Sequence, residues 1–251
     1  MRIALILTAL LASPVAAKAQ EVIDPEATAA VRAHMQHHHG GGTLTYVEGE
    51  RFEYQANEGD PLFLWDAQGF YGGDINKLWI KTEGEYDFAA DEFEEAELQA
   101  LYSRAIGSFW DIQTGVRHDF APFEDRTYGV IGVQGLAPYL FEIDAAAFVS
   151  GHGDVTARIE AEYEFLLTQR LILQPRAELN FAFQDIPDLE TGAGLSTAET
   201  GLRLRYEIRR EFAPYVGVSW ARSVGDTADF VRARGEDSSD LSFVAGVRFW
   251  F

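Results

Sequence analysis

Between Val155 and Leu167 the chain alternates with period two. Val155, Ala157, Ile159, Ala161, Tyr163, Phe165 and Leu167 fall on one face, and Thr156, Arg158, Glu160, Glu162 and Glu164 on the other. A helix would scatter these residues around its circumference, so the segment reads as a β-strand with one apolar and one charged face. The signature recurs in Leu171–Phe183, Leu202–Ile208 and Leu241–Phe251. It predicts twelve strands, at 46–55, 62–72, 77–87, 93–106, 109–120, 127–137, 139–149, 154–168, 170–184, 196–209, 212–224 and 241–251. Pro175 and Pro214 each lack a ladder donor, so a bulge or strand end is expected near them.

The links between these segments differ in kind. Odd-numbered links, among them Ala56–Pro61, Asp185–Leu195 and Gly225–Asp240, are long, acidic or glycine-rich, whereas even-numbered ones such as Gly107-Ser108, Pro138 and Arg210-Glu211 are tight. Long loops at one rim, short turns at the other and an even strand count describe an outer-membrane barrel. In such a barrel the apolar face meets lipid and the charged face lines the lumen, the reverse of a soluble barrel. Strands of 9–11 residues or more suit a tilted crossing. Aromatics near strand ends (Trp65, Tyr71, Trp79, Trp110, Tyr139, Phe141, Phe212, Trp220, Trp250) fit interfacial girdles, and Phe251 ends the last strand as barrel insertion signals do.

Upstream of the strands, Arg2, the apolar run Ile3–Ala12 and the small residues Ala17-Lys18-Ala19 read as a signal peptide over 1–19. Residues 20–45 read as a flexible histidine-containing tail on the periplasmic side, and 46–251 as the barrel. The expected fold class is therefore all-β, an antiparallel transmembrane β-barrel of about twelve strands in the outer membrane, with surrounding lipid as its first partner.

Forty acidic residues against 20 Lys plus Arg give a formal charge of −20, which repels nucleic acid. With no cysteine, thiolate catalysis and Cys-based metal sites are excluded. Two constellations carry chemistry. The first is His34-Met35-Gln36-His37-His38-His39, where neutral imidazoles on a mobile backbone can gather on one borderline metal ion, at the cost of ordering the tail. The second is the lumen face, whose carboxylates Asp66, Glu83, Glu85, Glu95, Glu97, Asp111, Asp119, Glu142 and Asp144 form a candidate cation path. Acid–base pairing across adjacent strands is the structural alternative for that face. His118 beside Asp119, and His152 beside Asp154, are candidate rim dyads. The acidic loop stretches Glu58-Gly-Asp60, Asp91-Glu92 and Gly235-Glu-Asp237 do not have EF-hand spacing, and no Gly-x-Ser-x-Gly elbow is present.

Several long words in fixed order carry a family resemblance over residues 61–251. They include Trp65-Asp-Ala-Gln-Gly-Phe-Tyr-Gly-Gly-Asp-Ile-Asn-Lys-Leu-Trp79, Glu97–Ile106, Gly132–Tyr139, Leu167–Asn180, Glu207–Val218 and Gly225–Asp229. In these the chain resembles the copper resistance protein B family of Gram-negative outer membranes. The resemblance implies copper as the bound ion, a non-enzymatic role in copper resistance, and a periplasmic multicopper oxidase of the same system as partner. Family members often carry an N-terminal extension dense in Met and His, whose thioethers suit Cu(I). This extension has one methionine, Met35, among four histidines, and imidazole suits Cu(II) equally. The expected metal ligands are thus His34, Met35, His37, His38 and His39. Two rival readings stay open: an outer-membrane hydrolase with His118 or His152 as base, and a general porin with an acidic lumen.

Overall fold

The computed structural model describes residues 29–31, 34, 42–57 and 61–251. The signal peptide, Met35, His37, His38, His39 and the Glu58–Asp60 loop lie outside the described residues, as does most of the expected tail.

Thr43–Phe251 forms one compact unit. Its strands are β1 (Leu44–Ala56), β2 (Leu62–Gly72), β3 (Asn76–Asp87), β4 (Glu92–Ala105), β5 (Trp110–Ala121), β6 (Arg126–Ala137), β7 (Phe141–Ser150), β8 (Val155–Glu162), β9 (Phe165–Leu166), β10 (Leu171–Ala182), β11 (Gly194–Tyr206), β12 (Phe212–Ser223) and β13 (Ser239–Trp250). Each pairs antiparallel with its sequence neighbour, except that β8 and β9 both pair with β10 as two pieces of one stave. β13 pairs with β1, which closes twelve staves into a barrel with no free edge. Backbone hydrogen bonds from Val47 N to Phe251 O (3.0 Å) and from Phe251 N to Val47 O (2.8 Å) place both ends of the barrel at the short-turn rim.

β1 begins at Leu44, inside the stretch assigned from sequence to the tail. The break between β8 and β9 has a local cause in Pro175. Tyr163 N donates to Pro175 O (3.1 Å), but Pro175 has no N–H to return, so the ladder lapses at Tyr163-Glu164 and resumes in the same register at Phe165↔Leu173. At Pro214, the β11–β12 pairing stops one residue earlier, at Arg205↔Tyr215. Pro175→Val is expected to join β8 to β9 and raise stability by about 0.5–1.5 kcal/mol, the net worth of one hydrogen bond. Denaturant titration of the folded barrel checks this, together with slower amide exchange at the new valine.

The two rims are unequal chiefly because of two links, 183–193 and 224–238. The second carries a helix, α1 (Gly225–Ala233), that was not expected from sequence. Thr227 and Ala228 of α1 are buried, Gly192 N donates to Thr227 Oγ1 (3.0 Å), and Arg234 just beyond the helix pairs with Glu190, so the two long loops are tied together.

The outer face is apolar along its length, with Leu78, Ile80, Leu98, Tyr102, Val116, Ile131, Val149, Ile159, Leu202, Val216 and Phe243 all exposed. The interior is the reverse: Glu48, Arg51, Glu53, Glu97, Arg176, Glu178, Arg203 and Arg205 are buried. A soluble barrel would bury the apolar set. This arrangement is that of a barrel whose solvent outside is lipid.

Candidate functional site

The candidate site is the lumen, built by the inward half of each alternating strand. Three arginines from different strands organise its middle. Arg51 on β1 meets Asp66 (3.1 Å), Glu83 (2.5 Å) and Glu199 (3.6 Å). Arg176 on β10 meets Glu160 (2.7 Å), Glu178 (2.8 Å) and Glu199 (3.7 Å). Arg158 on β8 meets Glu83 (2.8 Å), Glu97 (3.2 Å), Glu95 (3.4 Å) and Glu178 (3.6 Å). Shared carboxylates close these contacts into a cycle, Arg51–Glu83–Arg158–Glu178–Arg176–Glu199–Arg51, running from β1 and β3 across to β8, β10 and β11. Arg117 extends it, holding Glu97 (2.8 Å) and gripping Asp119 through both Nε and Nη2 (2.6 and 2.9 Å).

A cavity of 460 Å³ lies on the short-turn side of this cycle. Its lining mixes the apolar Leu101, Val130, Phe148 and Trp79 with the acids Glu50, Asp66, Glu142, Asp144, Glu160 and Glu162. Lys77 pairs with Asp111 (2.6 Å) and stands over the Phe70 and Trp79 rings, while Lys81 pairs with Asp144. Trp79 donates to Gln68 Oε1 (3.1 Å), so it belongs to the lumen mouth and not to the lipid girdle expected of it. A second cavity, of 260 Å³, lies on the long-loop side and is bounded by Glu94, Glu95, Arg117, Asp119, Thr191 and Thr227.

Of the nine carboxylates expected to form a cation path, the structure pairs Asp66, Glu83, Glu95, Glu97, Asp111, Asp119 and Asp144 with a cation of the chain. Glu85 and Glu142 have no ion pair among the described residues. Sequence parity missed Glu48, Glu50, Arg51 and Glu53, because a register shift between Gly49 and Arg51 breaks the alternation of β1. A charged run with no clean period was the signal available.

The expected rim dyads do not form. His118 points to the outer face, with Nδ1 2.8 Å from Thr127 Oγ1, its ring edge-on to Phe120, and Nε2 3.9 Å from Asp125. Asp119, on the opposite face, is held by Arg117. Asp154 is held by Arg126 (2.8 Å) and Ser150 (2.9 Å), and it is the backbone N–H of His152 that reaches Ser150 Oγ. Of the tail ligands, only His34 lies among the described residues. Among those residues, no group of three or more His, Asp or Glu side chains is placed to hold a metal ion.

A closed antiparallel barrel with a lipid-facing apolar exterior and a charged lumen is an outer-membrane β-barrel. Among solved structures the NanC porin superposes with a TM-score of 0.54 over 82% of this chain and 99% of the porin, at 14% identity, which is a likeness of fold. The particular family follows from sequence. The family model of the copper resistance protein B precursor, CopB, matches residues 43–251. A copper resistance protein B homolog of Pseudomonas syringae pv. tomato is 44% identical over 232 residues, covering 92% of this chain and 78% of the relative. Copper resistance protein B of Escherichia coli is 46% identical over 202 residues, covering 80% and 68%. The chain belongs to the copper resistance protein B family.

Proposed function

We propose that this protein is an acidic-lumen barrel that draws copper ions into and along the outer membrane's aqueous path as part of copper resistance, without turnover chemistry. The observation that carries the reading is the lumen's acidic surplus. Glu50, Glu142 and Glu162 line the larger cavity with no ion pair among the described residues, beside carboxylates already held by the chain's own cations, and an acidic lining of this kind attracts cations. Nothing described in the barrel is arranged as a chelate. Its part is therefore attraction and passage, while tight capture falls to the histidines His34, His37, His38 and His39 with Met35. A periplasmic multicopper oxidase is the partner this reading supplies with, or relieves of, copper. The hydrolase reading lacks support from geometry, since neither His118 nor His152 contacts its expected acid.

The test is copper stoichiometry on the purified mature protein, compared with a version lacking residues 20–42. The full chain is expected to retain about one copper ion after desalting, and the shortened chain less than a tenth of that, because scattered, cation-paired carboxylates hold Cu(II) far more weakly than converging imidazoles. Copper retained in full by the shortened barrel would move the capture site into the lumen and overturn this division of labour.

A further inference from the structure

We infer that Arg158 is the septum of the lumen: its guanidinium closes the passage between the two cavities, and the carboxylates it holds become a cation-selective constriction when it withdraws. The inference rests on the cation-passage reading above and adds the residue that sets conductance.

Three observations converge. Arg158 lines both cavities, the larger one on the short-turn side and the smaller one on the long-loop side. The other two arginines of the cycle do not: Arg176 borders only the larger cavity and Arg51 neither, while Arg117 borders only the smaller. Second, Arg158 crosses the lumen. It is rooted on β8 and touches Glu83 on β3 and Glu95 and Glu97 on β4, while Lys81 of β3 makes a second crossing, to Asp144 of β7, nearer the short-turn rim. Third, acid continues on both sides of it, with Glu83 and Glu97 lining the larger cavity and Glu95 the smaller. Phe148 also borders both cavities, but as a ring packed against the barrel wall with Leu101, Tyr128 and Val130, so Arg158 is the charged side chain standing between the two acidic chambers.

Charge sets the sign of the outcome. Arg158 faces four carboxylates, of which Glu83, Glu97 and Glu178 each keep a second guanidinium and Glu95 keeps none, so its departure leaves more acid than base at the constriction, which then favours cations over anions. Arginine is also the side chain suited to a standing closure, because it stays protonated throughout the physiological range and its planar fork holds several carboxylates at once. A lysine in its place would offer a compact charge to fewer of them.

The experiment is conductance and reversal potential in planar bilayers, in a KCl gradient, using the full mature chain and its Arg158→Ala and Arg158→Lys variants. Arg158→Ala is expected to conduct severalfold more than the parent, with a reversal potential further toward the cation side, and Arg158→Lys to fall between them. Adding Glu97→Gln and Glu178→Gln to Arg158→Ala is expected to reduce the cation preference while leaving conductance high. Insertion is checked by the heat-sensitive gel mobility of folded barrels, and Arg158→Gln, which keeps polar donors but loses the charge, carries the same expectation if the alanine variant fails to insert. A cation-preferring parent whose conductance is unchanged by the charge-removing replacement would overturn the septum and leave the passage reading standing. Anion preference in parent and variants alike would overturn both.

Discussion

Arg203→Met is expected to destabilise the barrel by about 3–5 kcal/mol, the cost of leaving a buried carboxylate without its counter-charge. Glu53 is fully buried and Arg203 is 2% exposed. The guanidinium donates to both carboxylate oxygens, at 2.9 Å from Nε and 2.7 Å from Nη2. Tyr215 Oη donates to Glu53 Oε2 (3.0 Å) and Gln55 Nε2 to Oε1 (3.0 Å), so the carboxylate is fully served while the pair is intact. Glycines on its own strand and on β12 lie against the arginine. A Cβ at Gly201 would collide with its guanidinium, and one at Gly217 would meet Leu202 O first and then the arginine's Cγ at 3.1 Å. Methionine fills much of that space but supplies no charge. Denaturant unfolding of the lipid-inserted barrel reads the loss. Adding Glu53→Gln to Arg203→Met is expected to restore more than half of it, since the amide still accepts from Tyr215 and needs no cation. A loss below about 1 kcal/mol would mean that Glu53 is hydrated, as an exposed pair would be.

The same residue pair shows where sequence stops being informative. Alternation along Leu202–Ile208 puts Arg203 inside the barrel, but the identity of its partner depends on closing β13 against β1, which brings Glu53 beside β11 and β12 from 150 residues away. Strand number, closure, and the lipid-facing direction of the apolar face were all legible, because each follows from period-two patterning and loop lengths. Pro175 marked the β8–β9 break for the same local reason. Two features were not legible, and a third was legible but misgrouped. The shift between Gly49 and Arg51 turned the first strand's charges inward without any periodic signature. The loop helix α1 is short and polar, and its order comes from Thr227 and Arg234 contacting the β10–β11 loop, which are tertiary contacts. Finally, Trp79 was grouped with the interfacial aromatics by its place near a strand end, although parity with Lys81 and Glu83 already assigns it to the lumen, where it meets Gln68.

The direction of the apolar face has its own large test in Ile131→Arg, expected to cost about 2–4 kcal/mol. Ile131 is 58% exposed at the middle of β6, opposite Thr114 on β5 and Ala147 on β7, and it faces away from the lumen, into which its neighbours Val130 and Gly132 point. In water, a charge at so open a position would change stability by no more than about 0.5 kcal/mol. In hydrocarbon, the guanidinium must snorkel to an interface or thin the bilayer around it, so the cost depends on depth. Ile112, 37% exposed near the short-turn end of β5, provides the comparison, and Ile112→Arg is expected to cost only about 0–1 kcal/mol because the headgroups are within reach of the side chain. Reversible unfolding in vesicles, with urea or guanidinium, measures both. Equal small costs at the two positions would place the outer face in water and remove the basis for reading the charged interior as a membrane lumen, whereas a large cost at Ile131 alone ties the inward-facing carboxylates to a path across the bilayer.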